Sequence, residues 1–346
     1  MSEIALPPIE RFDLSPGTSI SRLIKGGWQL AGGHGAIDAD AAIADMAAYV
    51  AAGVTTFDCA DIYTGVEAMI GAFRRRSGAA IRVHTKFVPD LALLPHITRA
   101  DVVRLIDRSL QRLGTERLDL VQFHWWDYAQ PRFVETALWL AELQRAGKID
   151  QIGGTNWDCA HLSALLDAGV RIETMQVQYS VLDSRPAGAM AALCARHNIA
   201  LLCYGTVAGG FLSERWLGAA APDWPPENRS LAKYKLIIDD IGGWELFQTL
   251  LGVLHRIARR HGVDIAAVAA RHVLAQPQVA AVIVGVRNAA HLLAHRRLFG
   301  FTLDAADTAE LADILAQRRP LDGDVYTLER DREGRHGRIM KYDLGR

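Results

Sequence analysis

Three short apolar runs of this chain finish on an ionisable side chain. Val54-Thr55-Thr56-Phe57-Asp58 closes on Asp58, Ile81-Arg82-Val83-His84-Thr85-Lys86 closes on Lys86, and Leu118–Phe123 hands over to His124. A phenol, Tyr63, follows the first run in the stretch Asp58-Cys59-Ala60-Asp61-Ile62-Tyr63. Brought together, these groups make a proton-transfer centre. A lone charge in an apolar mouth is costly unless it is paired, and Asp58 with Lys86 supplies the pair. A lysine and an imidazole beside a phenol favour its ionised form, which lowers the cost of proton donation by Tyr63.

The elements that must position them are short β-branched strands alternating with amphipathic helices. Strands fit Arg22–Gln29, Val54–Asp58, Ile81–Lys86, Leu118–Phe123, Ile149–Gly153, Ile172–Val177, Ile199–Cys203 and Val279–Val284. Helices fit 38–52, 66–76, 98–114, 133–147, 159–168, 187–197, 245–261 and 264–275, the third opened by the capping box Thr98-x-x-Asp101 and stopped by Gly114. Repeated βα units with short links imply a parallel sheet, and eight of them suggest a closed barrel whose C-terminal strand ends converge on one site. Period-2 alternation puts Thr56 with Asp58, His84 with Lys86 and Gln122 with His124 on common faces. Two segments break the rhythm. Residues 213–243, rich in Trp, Pro and Gly, read as a long loop after the seventh strand, and 320–346 reads as a C-terminal tail with a solvated mixed-charge run, Glu329–His336. Residues 1–346 are expected to form a single domain.

Half of the 346 residues are apolar and the formal net charge is −1, which removes the electrostatic case for a nucleic acid or an anionic membrane as partner. No stretch has the ~18 uncharged apolar residues of a membrane span, and Met1–Pro8 lacks the marks of a signal peptide. The four cysteines, Cys59, Cys159, Cys194 and Cys203, sit in apolar or strand-like surroundings without metal-ligand or redox spacing, as in a cytoplasmic protein with reduced thiols. The histidines are scattered, and no metal site is expected. Gly26-Gly27 and Gly32-Gly33 flank Trp28-Gln29-Leu30 but do not make G-x-G-x-x-G at a helix start, so a dinucleotide fingerprint of that type is unsupported.

Taken in order, the motifs resemble those of the aldo-keto reductases. The D-x-A-x-x-Y pattern is matched by Asp58–Tyr63, the lysine at the next strand end by Lys86, and the apolar-Asp-Leu strand with its histidine by Leu118–Trp125. Gly153-Gly154-Thr155-Asn156-Trp157, Gln176-Val177-Gln178-Tyr179-Ser180 and the segment Tyr204–Leu212 continue the likeness, which covers roughly residues 20 to 300. The resemblance implies a (β/α)8 TIM barrel and an NAD(P)H-dependent oxidoreductase acting on a small-molecule aldehyde, ketone or alcohol. It implies catalytic roles for Asp58, Tyr63, Lys86 and His124, with Tyr63 protonating the carbonyl oxygen, Lys86 anchored by Asp58, and His124 orienting the carbonyl. It further implies that Asn156 and Gln178 hold the carboxamide, that Tyr179 stacks on the ring, and that Tyr204, Gly205, Thr206, Gly209 and Leu212 line the pyrophosphate, with Trp28 beside the cofactor. Trp28, Trp125 and Trp126 would wall the substrate pocket. At the adenosine end Gly285 and Arg287 are kept, whereas His291 and Ala294-His295 replace the family's amide or arginine and its Glu-Asn pair. NADP(H) is therefore favoured, with NAD(H) possible. The altered adenine segment and the Trp-rich insertion also suit an alternative, a nicotinamide-binding interaction or redox-sensor module with little turnover.

Overall fold

The computed structural model describes residues 7–32 and 37–340; Gly33 of the second glycine pair, Met1–Leu6 and the last six residues of the tail lie outside them. The chain begins with an antiparallel hairpin, β1 (Arg11–Ser15) and β2 (Thr18–Ser21), that the strand reading omits. Pro16-Gly17 marks its turn, with Gly17 at φ 79°. Ile20 from the hairpin joins Ile24, Leu120, Leu202 and Ile283 in the barrel interior.

Eight parallel strands then close a barrel in the order of the chain: β3 (Leu23–Gly26), β4 (Thr56–Asp58), β5 (Arg82–Phe87), β6 (Leu118–Phe123), β7 (Ile149–Thr155), β8 (Thr174–Gln178), β9 (Ala200–Tyr204) and β10 (Val279–Gly285), the last pairing with the first. With its outer helices this is the expected (β/α)8 TIM barrel. The helices are α1 (Ala39–Ala51), α2 (Val66–Ser77), α3 (Arg99–Leu113), α4 (Phe133–Arg145), α5 (Cys159–Asp167), α6 (Ala189–Arg196), α7 (Arg229–Ile241), α8 (Trp244–His261), α9 (Ile265–Leu274), α10 (Leu292–Arg297), α11 (Ala305–Leu315) and α12 (Thr327–Arg330). Their starts are chemically marked: Thr98 and Asp101 form the expected capping box of α3, and Asp158, Asn228 and Asp264 accept from first-turn amides of α5, α7 and α9. None of the helices among the described residues is long and apolar enough to cross a membrane.

Residues 213–243 are not all loop. The second half is α7, whose Leu231, Tyr234, Ile237, Ile238 and Ile241 recur at helical spacing and pack with Phe211, Trp216 and Phe247 in a cluster of their own. The tail's charge run is solvated only in its middle: Asp331, Arg332, Glu333 and Arg335 are exposed, whereas Glu329 is buried against Arg185 and Lys233 and His336 against Asp240. Cys159 alone of the four cysteines is only half-buried, and all four are free.

Candidate active site

Parallel register delivers the three strand ends to one place. Asp58 pairs in register with His84, and Lys86 with Gln122, so the charged side chains meet inside the mouth of the barrel. Lys86 Nζ donates to Asp58 Oδ1 (2.9 Å), Asp58 Oδ2 (2.8 Å) and the Cys59 carbonyl (2.9 Å). Asp58 Oδ1 also accepts from Gln122 Nε2 (3.0 Å) and Gln176 Nε2 (2.6 Å), and Gln176 donates on to Gln122 Oε1 (2.9 Å). Both ions are buried, so each needs this full complement of partners. Burial works against the Lys86 ammonium, but Asp58 and Tyr63 outweigh it and its pKa is raised. The ammonium stays charged.

Tyr63 sits in the turn beyond β4, its ring centroid 5.0 Å from Lys86 Nζ and 5.1 Å from the edge-on ring of Trp28. The expectation of a lowered phenol pKa needs correction. Burial raises it, the positive charge of Lys86 pulls back, and Asp58 opposes Lys86, leaving a net rise. His124 Nδ1 donates to the Thr155 carbonyl at 3.1 Å; since a carbonyl only accepts, Nδ1 carries the proton and Nε2 is the bare nitrogen. Burial first, then the charge of Arg330, drives the His124 pKa down to about 3, so the ring is neutral. Trp126 and Tyr326 stand edge-on against it, at 4.4 and 5.8 Å between ring centroids.

These groups line a cavity of about 710 Å³. Among the expected residues, Trp28, Asp58, Tyr63, Lys86, His124, Trp126, Asn156, Tyr204, Gly205, Thr206, Gly209, Leu212, Gly285, Arg287 and His291 line it. Gln178, Tyr179 and Trp125 do not. Trp125 is fully buried behind Phe123 and donates its indole N–H to the Gln130 carbonyl, because side chains alternate and His124 takes the inward position. Gln178 turns its amide to Asp183 Oδ2 at 2.7 Å, and Tyr179, of opposite parity, packs into the outer core; Gln176 faces the cavity instead.

At the β9 and β10 end the lining becomes cationic. Arg229 and Lys233 of α7 face the cavity beside Tyr204 and Gly205, and Arg287 and His291 lie at its exposed rim. Gly205 and Gly209 have left-handed φ values of 74° and 63°, and a Cβ on Gly209 would come within 2.8 Å of the Tyr234 ring. Thr206 Oγ1 is buried there without a partner. His295 also borders the cavity but is engaged inward with the Tyr49 hydroxyl at 2.9 Å, and burial together with His291 and Lys25 lowers its pKa to about 4. Arg229, Lys233, Gln122, Gln176 and Tyr326 are among the lining or supporting residues that sequence reasoning did not assign. For Gln122 and Gln176 the signal was available in strand parity with His124 and in the Gln176–Ser180 motif; for the α7 pair and Tyr326 it depended on seeing how the insertion and the tail fold.

A family model described as the Aldo/keto reductase family matches residues 22–316. Aldo-keto reductase YhdN of Bacillus subtilis (strain 168) is 27% identical over 308 residues, which cover 86% of this chain and 91% of that protein. Flagellar radial spoke protein 5 of Chlamydomonas reinhardtii is 30% identical over 253 residues, 61% of this chain and 48% of the relative, so the matched region spans about half of that longer protein. The solved structure of the glycerol dehydrogenase AKR11B4 from Gluconobacter oxydans shares the fold with a TM-score of 0.76 at 22% identity, over 92% of this chain and 97% of that one.

Proposed function

Because the chain belongs to the aldo/keto reductase family, we propose that it reduces a small aldehyde or ketone, or oxidises the matching alcohol, with NADP(H) as the favoured cofactor and Tyr63 as the proton donor. One observation carries this reading: a lysine clamped by both oxygens of a buried aspartate, 5.0 Å from a phenol that opens on a cavity of about 710 Å³. When bound, the nicotinamide supplies the hydride that reaches the carbonyl carbon.

What the chain does is meet the charge that develops on the oxygen. Tyr63 gives its proton there, and the Lys86 ammonium stabilises the phenolate left behind. Asp58 keeps Lys86 charged and in place, with Gln122 and Gln176 fixing the carboxylate in turn. With Nε2 bare, neutral His124 can accept a hydrogen bond from an alcohol hydroxyl but cannot donate one to a carbonyl oxygen, and it adds no second positive charge beside Lys86. Trp28, Trp126 and Tyr326 give the substrate side an aromatic wall.

The far end of the cavity fits a dinucleotide. Glycines at Gly205 and Gly209 lie close under Tyr234, Thr206 Oγ1 is an unused polar atom, and Arg229 and Lys233 bring positive charge to a pyrophosphate. Asn156 and Gln176, both lining the cavity, would hold the carboxamide. Arg287 would meet the 2′-phosphate with its planar fork, while His295 stays turned to Tyr49. Arg287→Leu is expected to weaken NADPH binding about 10-fold in a fluorescence titration and leave NADH binding within about twofold, since a charged hydrogen bond is worth about 1.5–3 kcal/mol. Equal weakening of both would place the residue elsewhere on the cofactor.

The direct test is purified protein, NADPH and a panel of uncharged aldehydes and ketones, followed by loss of nicotinamide absorbance. Turnover is expected. No oxidation of NADPH or NADH by any carbonyl, and no reduction of either oxidised form by any alcohol, would contradict the reading.

A further inference from the structure

The C-terminal segment reaches into the catalytic centre through one side chain. Arg330, the last residue of α12, donates from Nη1 to the carbonyls of Trp125 and of Trp126 (3.0 Å for the latter) and from Nη2 to the carbonyl of Asn156 (2.8 Å). Its guanidinium carbon lies 3.8 Å from the centroid of the Tyr128 ring, which fixes the plane of the fork. Each accepting carbonyl belongs to a turn that carries a working residue. Trp125 and Trp126 directly follow His124, and Asn156 directly follows Thr155, whose carbonyl holds His124 Nδ1.

The Asn156 backbone is left-handed, at φ 61°, a conformation that asparagine tolerates better than most non-glycine residues, and its Oδ1 accepts from Tyr204 Oη at 2.9 Å. On the same segment as Arg330, Tyr326 is likewise left-handed, at φ 62°, with its ring against His124. Two cavity-lining residues with left-handed backbone thus contact one guanidinium, Asn156 through its carbonyl and Tyr326 through its ring, whose centroid is 5.5 Å from the guanidinium carbon. Asp324, accepting from Cys159 N at 2.6 Å, and Glu329, paired with Arg185 at 3.2 Å, hold the segment just ahead of it.

From this geometry we infer that Arg330 is a positioning residue for the reaction: by bridging the turns after β6 and β7, it sets His124 on the substrate side and Asn156 on the nicotinamide side in one fixed relation. The inference rests on the reductase reading of the same site. A planar fork with five donors can serve three carbonyls at once, whereas an ammonium keeps the charge but not the shape. Misplacement of reacting groups by about 1 Å costs on the order of 100-fold in rate.

The test compares Arg330→Met, Arg330→Lys and, as a control for looser docking of the same segment, His336→Ala, which removes the contact to Asp240 Oδ2. Melting curves first establish that each variant is folded. We expect kcat to fall about 10- to 100-fold in both Arg330 variants with the carbonyl KM changed less than about threefold, and His336→Ala to keep kcat within about twofold even if it melts earlier. Full kcat in Arg330→Lys would show that charge alone suffices and would overturn the bridging role. An equal loss in His336→Ala would show that any loosening of the segment has the same effect, and would overturn it as well. Should the unmodified protein bind NADPH without turnover, the reductase reading falls by itself. NADPH affinity then decides the bridge, expected to weaken about 10-fold in both Arg330 variants and not in His336→Ala.

Discussion

Tyr63→Phe is expected to lower kcat for carbonyl reduction about 10³-fold, equivalent to about 4 kcal/mol of transition-state stabilisation, with NADPH affinity unchanged. The ring, its edge-on contact with Trp28 and the cavity wall all survive this substitution; only the hydroxyl is lost, and with it the proton and its contact with Lys86. The pH dependence follows from the same group. Burial holds the phenol above its ordinary value despite Lys86, so the protonated form needed for reduction persists through neutrality and is lost only as pH rises through that raised pKa. Alcohol oxidation needs the phenolate, so its rate should climb with pH over the range where reduction is still flat. In Tyr63→Phe both limbs should vanish. Rate profiles in the two directions check the sign, and a reduction rate that rises with alkaline pH would assign the proton to another group.

Lys86→Met should be nearly as damaging to kcat, by about 10²–10³-fold, and unlike Tyr63→Phe it should also destabilise the fold. It leaves the Asp58 carboxylate buried with two amide donors and no counter-charge. Removing one partner of such a pair costs about 3–5 kcal/mol, which for a chain of this length lowers the melting temperature by roughly 4–7 °C. Adding Asp58→Asn removes the uncompensated charge, so the double variant should recover much of the stability and none of the activity. A single variant that melts like the unmodified protein would mean that the pair is not buried as described; a double variant that regains turnover would remove Lys86 from the chemistry.

Asp58 and Lys86 are legible in the sequence because strand ends announce themselves, and Tyr63 through its D-x-A-x-x-Y spacing from Asp58. An apolar run that stops on Asp58, Lys86 or His124 says both where the side chain sits and which way it points, and a closed barrel brings such ends together. Legibility fails where direction depends on partners far away in sequence. Trp125 follows His124 and reads as pocket wall, yet alternation sends it to the core with Phe123. Glu329 and Arg330 read as solvated charges, since nothing local reveals that one faces Arg185 and Lys233 and the other faces three carbonyls. Trp, Pro and Gly in residues 213–228 make the insertion look structureless and hide α7, and with it the cations Arg229 and Lys233.

The most direct measurement of the central claim is isotopic. NADPH carrying deuterium at the transferable position of nicotinamide C4 is incubated with the protein and an aldehyde, and the alcohol is analysed by mass spectrometry. Hydride delivery at this site predicts one deuterium on the carbinol carbon of each product molecule. Consumption of the carbonyl with no deuterium in the product, or with no matching oxidation of the nicotinamide, would contradict it.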